Sequence, residues 1–248
     1  MTLIEEIETE FGTIVISKNP ETGALLYDVG GCHQSSSDSQ GISVASYIHA
    51  IYGLLIQAKS RNVLLIGCGG GTLGTMLAGA QRQATIVDEN PVSFAVARRH
   101  FALPDSVICH AAEGEAFLRG AGTYDAIVLD AFHSETIPPH LLSAEFFRLV
   151  REHLAPDGVM FANIRPKHDF DDCADQLAKS MKSAWPTVRV LDTMGICWRN
   201  AIVMAGRVMH LREPKLLVRP EMNADVIDAE LRRMQFRAWK ASRWDFGG

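Results

Sequence analysis

The strongest constraint on how this chain folds is a beat of short, wholly apolar runs separated by helical pattern. Residues 63–66 read Val-Leu-Leu-Ile and residues 126–129 read Ala-Ile-Val-Leu. Neither run alternates with polar residues, so each fits a strand buried on both faces. Further strand-length runs at residues 84–87, 107–110 and 159–163 are set between stretches of helical periodicity. Strands alternating with helices specify βαβ units and a parallel sheet covered on both sides. The predicted fold class is α/β, a Rossmann-like, doubly wound and mostly parallel sheet.

Local signals punctuate this beat. Pro91 suits the first turn of a helix running to Phe101. Ser143 is a candidate N-cap for a helix over 144–154, and Pro156-Asp157-Gly158 reads as a turn. Residues 169–184 read as a helix that stops before Pro186, followed by strands at 188–191 and 201–205. Ahead of the regular part, residues 44–57 carry apolar side chains at helical spacing. Residues 12–31 read as a β-hairpin turning at Asn19-Pro20-Glu21-Thr22-Gly23, and 35–39 as a polar loop. The more charged tail carries one amphipathic helix over 224–236. The expected organisation is an N-terminal β-hairpin region (1–40), a Rossmann-like domain (41–206) and a C-terminal helical tail (207–248).

Composition narrows the partners. A formal charge of −5 gives no long-range attraction to nucleic acid or an anionic membrane. No apolar run approaches the length of a membrane span. Residues 1–14 carry four glutamates and no basic segment of a secretion signal. Five cysteines are dispersed without CxxC or metal-ligand spacing, which fits a reducing compartment and no metal. The expectation is a cytoplasmic protein acting on a small molecule.

Open α/β sheets bind ligands beyond the carboxyl ends of their strands, so the residues there are the candidates. After the first apolar strand stands Gly67-Cys68-Gly69-Gly70-Gly71. Glycines permit positive φ and close approach of a ligand to the backbone. The spacing leaves two ligands open. Read as Gly69, Gly71 and Gly74 it fits G-x-G-x-x-G, a dinucleotide pattern. Read as Gly67, Gly69 and Gly71 it suits an adenosine-containing sulfonium. No Walker lysine follows, which argues against a P-loop. Asp88, about 20 residues on, is placed to accept from ribose hydroxyls. Glu113 could accept from an adenine amino group or simply start a helix. Asp130 closes the fourth strand, where it could orient a nucleophile or take its proton. His133 is an acid/base candidate or a loop histidine. His49, Tyr47 and Trp198 read first as packing residues.

Several segments together resemble the spermidine synthases. These are residues 63–73, Val87-Asp88-Glu89-Asn90-Pro91, residues 95–101, residues 124–130, residues 145–150 and Leu154-Ala155-Pro156-Asp157-Gly158. The resemblance implies a class I methyltransferase-type fold with an N-terminal β-hairpin region, and a tendency to form homodimers. It implies transfer of an aminopropyl group from decarboxylated S-adenosylmethionine to an amine, leaving methylthioadenosine. It further implies that Gln34, Gly67, Gly69, Gly71, Asp88 and Glu113 hold the cofactor. Tyr47 would lie on the substrate side, and Asp130 would face the attacking amine. Two positions depart from the family pattern: Gly69 stands where an Asp is usual, and His133 replaces a second crevice Asp. Gly69 removes a carboxylate that would repel the carboxylate of intact S-adenosylmethionine. A methyltransferase leaving S-adenosylhomocysteine is therefore the second expectation, and a non-catalytic nucleoside-binding module the third. The acceptor pocket is expected from the hairpin, His133 and Trp198.

Overall fold

Two sheets build the chain, and the computed structural model describes residues 1–133 and 136–240 of it. The first sheet is antiparallel: β1 (Thr2–Ile7), β2 (Ile14–Lys18), β3 (Leu25–Val29) and β4 (Cys32–Ser37) lie side by side in chain order. The expected hairpin is its centre. Asn19 closes the turn, its Oδ1 accepting from Glu21 N at 2.9 Å. The expected polar loop at 35–39 is corrected in part. Ser35 pairs with Tyr27, Ser36 with Leu26 and Ser37 with Leu25. A serine run has no apolar periodicity to reveal a strand, and only the backbone ladder with β3 makes it one. Ile14, Ile16 and Tyr27 of this sheet pack on Val96 and Phe101.

The second sheet follows α1 (Ser46–Gln57). Its elements are β5 (Asn62–Ile66), α2 (Thr72–Gly79), β6 (Gln83–Asp88), α3 (Pro91–His100), β7 (Ile108–Ala111), α4 (Gly114–Leu118) and β8 (Tyr124–Leu129). Then come α5 (Ala144–Glu152), β9 (Leu154–Ile164), α6 (Cys173–Lys182), β10 (Val188–Asp192), β11 (Ala201–Gly206), α7 (Ala224–Arg233) and β12 (Gln235–Arg237). The spatial order is β12-β10-β11-β9-β8-β5-β6-β7. The five strands from β9 to β7 are parallel, and β11, β10 and β12 add antiparallel neighbours. This is the doubly wound, mostly parallel α/β sheet that the apolar beat predicts, and the class I methyltransferase-like fold that the resemblance implies.

Alternation along each strand fills both faces. Val63 and Leu65 point to one core with Leu54, Leu77 and Ile227, while Leu64 and Ile66 point to the other with Phe146, Phe147 and Met181. Three helix starts carry the caps their sequences offer. Asn90 Oδ1 accepts from Val92 N at 3.1 Å ahead of Pro91, Ser143 Oγ from Phe146 N at 3.0 Å, and Glu113 from Glu115 N and Ala116 N.

Two readings are adjusted by tertiary pairing. The turn at 156–158 lies inside β9 as a bulge: the ladder steps from Tyr124↔Leu154 to Ala126↔Val159, so the residues between loop out. The helix expected from 169 starts at Cys173. The amphipathic tail helix packs on the α1 side of the core through Ile227 and Leu231. The chain beyond it then forms β12, which hydrogen-bonds to β10. No helix among the described residues is long and apolar enough to cross a membrane.

Candidate active site

From β5 the chain steps outward to β6 and β7, and then returns to the other side of β5 with β8 and β9. This reversal opens a crevice between the carboxyl ends of β5 and β8. Asp130 N donates to Ile66 O at 2.9 Å, so the chain leaves both strands in contact. Gly67 makes that contact possible. Its φ is +104°, and a Cβ there would lie 2.3 Å from Asp130 O. Gly69 and Gly71 also have positive φ, and Gly71 opens α2.

The crevice encloses about 960 Å³ of empty space, open solvent at its mouth included. Gln34, Gly67, Gly69, Asp88, Glu113, Asp130 and His133 all line it. Its other walls are Tyr27 and Val29 of the antiparallel sheet, with Phe132, Pro138 and Leu141. A second cavity of about 530 Å³ lies under the glycine loop. It is lined by Tyr47, Gly71, Thr72 and Val128, and shares Gln34, Gly67, Gly69, Asp130 and Phe132 with the first. Asp130 is the one carboxylate among its described lining residues.

Asp88 ends β6 and braces the glycine loop. Its Oδ2 accepts from Cys68 N and its Oδ1 from Asn90 N, both at 2.8 Å. A carboxylate has about four acceptor positions, so two remain for a ligand. Burial raises its pKa, and the two backbone donors partly offset that rise. Glu113 lines the cavity and also caps α4. Its Oε1 accepts from Glu115 N and meets His140 Nε2, both at 2.9 Å, while its Oε2 accepts from Ala116 N at 2.7 Å. Burial alone would raise its pKa, but these donors bring the net shift downward.

Asp130 sits where the two cavities meet. Asn163 Nδ2 donates to its Oδ1 at 2.8 Å and the Tyr47 hydroxyl to its Oδ2 at 3.3 Å. Asn163 in turn accepts at Oδ1 from Asn200 Nδ2 at 2.9 Å. Burial raises the Asp130 pKa, opposed by Asn163, Tyr47 and the nearby Arg165. The Tyr47 hydroxyl is driven well above its usual range by burial and by the Asp130 charge, so it stays a proton donor.

Trp198 is not among the residues lining either cavity. It is 55% exposed, in left-handed backbone at φ +55°, with the Lys167 ammonium 5.3 Å from its ring centre. His49 is a buried structural residue whose Nε2 lies 2.7 Å from Ser43 O. Asn163, Asn200 and Arg165 escaped the sequence reading. Asn163 had a usable signal, since it is a polar residue near the end of an apolar strand, as Asp88 and Asp130 are.

Comparison with known proteins agrees with this architecture. The methyltransferase small domain family matches residues 50–192, more than half of the chain. A polyamine aminopropyltransferase of Vibrio vulnificus (strain CMCP6) is 29% identical over 176 residues, covering 65% of this chain and 59% of the relative. One from Chromobacterium violaceum is 33% identical over 127 residues, 48% of this chain and 49% of the relative. The chain thus spans about half to three fifths of the length of these curated relatives. The crystal structure of a probable spermidine synthase from Corynebacterium glutamicum superposes with a TM-score of 0.77 at 20% identity, over 96% of this chain and 91% of that one. With its parallel sheet and its cavity at the strand reversal, the chain belongs to the methyltransferase small domain family, as a divergent relative of the polyamine aminopropyltransferases.

Proposed function

We propose that the chain is a transferase that moves an aminopropyl group from decarboxylated S-adenosylmethionine to an amine acceptor. The observation that carries this reading is the Asp130 carboxylate at the junction of the two cavities, held by Tyr47 and Asn163. The cavity volume suits a nucleoside, and ligand pockets commonly fall in the range of roughly 300–1,000 Å³. Asp88, with two acceptor positions unspent, supports a ribose diol. Glu113 gives two acceptor positions to capping α4 and one to His140, which leaves about one for the adenine end of the ligand. The glycine loop lets the sulfur end lie against backbone, and the second cavity continues beneath it.

A bound adenosyl sulfonium supplies an already activated carbon–sulfur bond. Asp130 orients the attacking amine through its carboxylate and takes the amine proton. The nitrogen lone pair forms the C–N bond, and the C–S electron pair passes to sulfur, leaving a neutral thioether. Tyr47 and Asn163 hold the Asp130 carboxylate during the step, so the chain contributes mainly positioning. His133 and the antiparallel sheet border the acceptor side. Trp198 would join only through movement of its loop. A homodimer stays part of the proposal on the resemblance, and a cytoplasmic location on the dispersed cysteines and the acidic first residues.

Methyl transfer from intact S-adenosylmethionine is the second reading. Gly69 favours it, because the loop position where the family pattern has an Asp carries no carboxylate here to repel the carboxylate of the intact donor. Calorimetric titration with S-adenosylmethionine, its decarboxylated form, methylthioadenosine and NAD separates the readings. Tighter binding of the decarboxylated form, together with product formation from an amine, supports aminopropyl transfer. Tighter binding of the intact form supports methyl transfer. Binding without any turnover supports a nucleoside-binding module, and binding of NAD alone overturns the adenosyl sulfonium.

A further inference from the structure

The second cavity has a wall that the scheme above does not use. The first turn of α2 lines it through Thr72, Leu73 and Gly74, together with Ser35 of β4. No side chain caps this helix, whose N-cap is Gly71, and the N–H groups of Thr72, Leu73 and Gly74 have no acceptor among the described residues. Orphan donors at the positive end of a helix dipole suit an anion.

Two hydroxyls stand with them. Thr72 is 3% exposed, and its Oγ1 makes no hydrogen bond among the described residues. The described side-chain atoms that are both sealed and unpartnered are His49 Nδ1, Ser60 Oγ and Arg82 Nε. The Thr72 oxygen is not one of them, so it keeps an opening, and the space that Thr72 lines is the cavity. Ser35 Oγ is likewise without a partner among the described residues. Gly69 and Gly70 leave it room, since a Cβ at 69 would lie 3.4 Å from Ser35 Cβ and one at 70 would lie 3.1 Å from its Oγ. A buried hydroxyl with its hydrogen unspent is unfavourable until a ligand accepts it. Asp130, where this cavity meets the first, gives two of its roughly four acceptor positions to Asn163 and Tyr47. An amino-acid tail carries both signs: its ammonium suits Asp130, and its carboxylate suits the start of α2.

We propose that Thr72, Ser35 and the start of α2 seat the carboxylate of intact S-adenosylmethionine, and that the group transferred is therefore aminocarboxypropyl. This rests on the transferase reading above, keeps its bond chemistry and replaces its donor. The amine lone pair forms a C–N bond to the tail carbon next to sulfur. The C–S electron pair passes to sulfur, Asp130 takes the amine proton, and methylthioadenosine leaves. The product amine gains an amino-acid end, because the carboxylate is a spectator that stays on the transferred chain.

S-adenosylmethionine, its decarboxylated form and methylthioadenosine are titrated by calorimetry. Each donor is also incubated with putrescine, spermidine or ornithine, and the nucleoside and amine products are identified by mass spectrometry. The wild-type protein is expected to bind the intact donor about tenfold or more tighter than the decarboxylated one, the scale of one charge-assisted pair. It should release methylthioadenosine from the intact donor, with an amine product heavier than the aminopropyl adduct by one carbon dioxide. Thr72→Val and Ser35→Ala together should bring the affinity ratio towards one, with methylthioadenosine affinity kept within about threefold. Thr72→Ser, which retains the hydroxyl, should keep the preference. Because the readout is a ratio, a reduced active fraction cancels. No preference for the intact donor, or a preference that survives the paired substitutions, overturns the carboxylate seat. Turnover of the decarboxylated donor alone does the same and leaves aminopropyl transfer standing. S-adenosylhomocysteine as the product overturns the assigned group in favour of methyl transfer. Binding with release of neither nucleoside overturns transfer altogether. If methylthioadenosine and both sulfoniums fail to bind, the adenosyl reading falls and the carboxylate seat falls with it.

Discussion

Asp130 and Asn163 stand at the carboxyl ends of neighbouring parallel strands, and the Asn163 amide donates to the Asp130 carboxylate at 2.8 Å. Asn200 fills the other end of the same amide. The orientation of Asn163 is therefore set from both sides, and its N–H points at the carboxylate.

Asn163→Leu removes that donor and leaves the Asn200 amide without its acceptor. Leaving partners unsatisfied at this buried position costs about 1–3 kcal/mol of stability. The charged form of Asp130 also loses a stabilising hydrogen bond, so its pKa rises further. The acidic limb of the pH–rate profile should move to higher pH. A limb that stays in place would show that Asn163 does not tune this carboxylate.

Asp130→Asn should lower turnover by about 10²–10⁴ while methylthioadenosine affinity changes little. In the wild-type protein, burial holds the Asp130 pKa above the usual aspartate range. A protonated carboxyl cannot accept the amine proton. Activity is thus expected at pH values above this raised pKa and lost as pH falls through it, with the limb absent from any residual rate of the Asn variant. The sign for stability is opposite, because a raised carboxylate pKa means the native state binds the proton more tightly than the unfolded chain. Asp130 then costs stability at neutral pH, and Asp130→Asn should not lower Tm there.

Gly67→Ala and Gly69→Ala separate two uses of glycine. At Gly67 a Cβ would fall 2.3 Å from Asp130 O, with φ at +104°, so the strand ends must move apart. At Gly69 the nearest atom is Ser35 Cβ at 3.4 Å and φ is +50°, which leaves mainly the left-handed backbone cost of about 1–2 kcal/mol. Thermal melts should show the larger loss at Gly67, together with loss of nucleoside binding. Equal losses would mean that the contact with Asp130 is not what requires a glycine at 67.

Asp192 anchors the far edge of the sheet. Fully buried at its side chain, it receives Arg199 Nε at 2.6 Å and Arg237 Nε at 2.9 Å, so one carboxylate joins β10, the loop before β11 and β12. Arg199→Met removes one partner of a buried pair, at a cost of about 3–5 kcal/mol. Burial alone would raise the Asp192 pKa, but the two arginines bring it below the usual range. A depressed carboxylate pKa gives stability that is present above the unfolded-state value and lost as pH falls through the folded one. Arg199→Met should therefore flatten the acid limb of a Tm-against-pH curve as well as lower Tm at pH 7.

The site was only partly legible in sequence, and particular residues show why. Asp88, Asp130 and the glycine loop announced themselves because each follows an apolar run by one or a few residues, and strand ends define the crevice of this sheet class. Asn163 obeys the same rule but is uncharged and lies within a strand that continues one residue further. Arg165 and Asn200 carry no local pattern. The contact of Asn200 with Asn163 comes from β11 lying antiparallel beside β9, a pairing that no spacing along the chain encodes. The serine strand β4 was hidden for a related reason, since its register is supplied entirely by β3.

By itself, the sequence determined the apolar beat, and with it the doubly wound sheet, the helix caps at Asn90 and Ser143, and the crevice at Gly67 and Asp130. These depend on local periodicity, backbone freedom and short-range hydrogen bonding, which a few adjacent residues specify. Only the tertiary structure decided that Asp130 is gripped by Tyr47 and Asn163, that Glu113 is partly committed to a helix cap and that Trp198 lies outside the cavities. Those relations join residues tens of positions apart, and their energies exist only once sheet order and desolvation have brought the groups together.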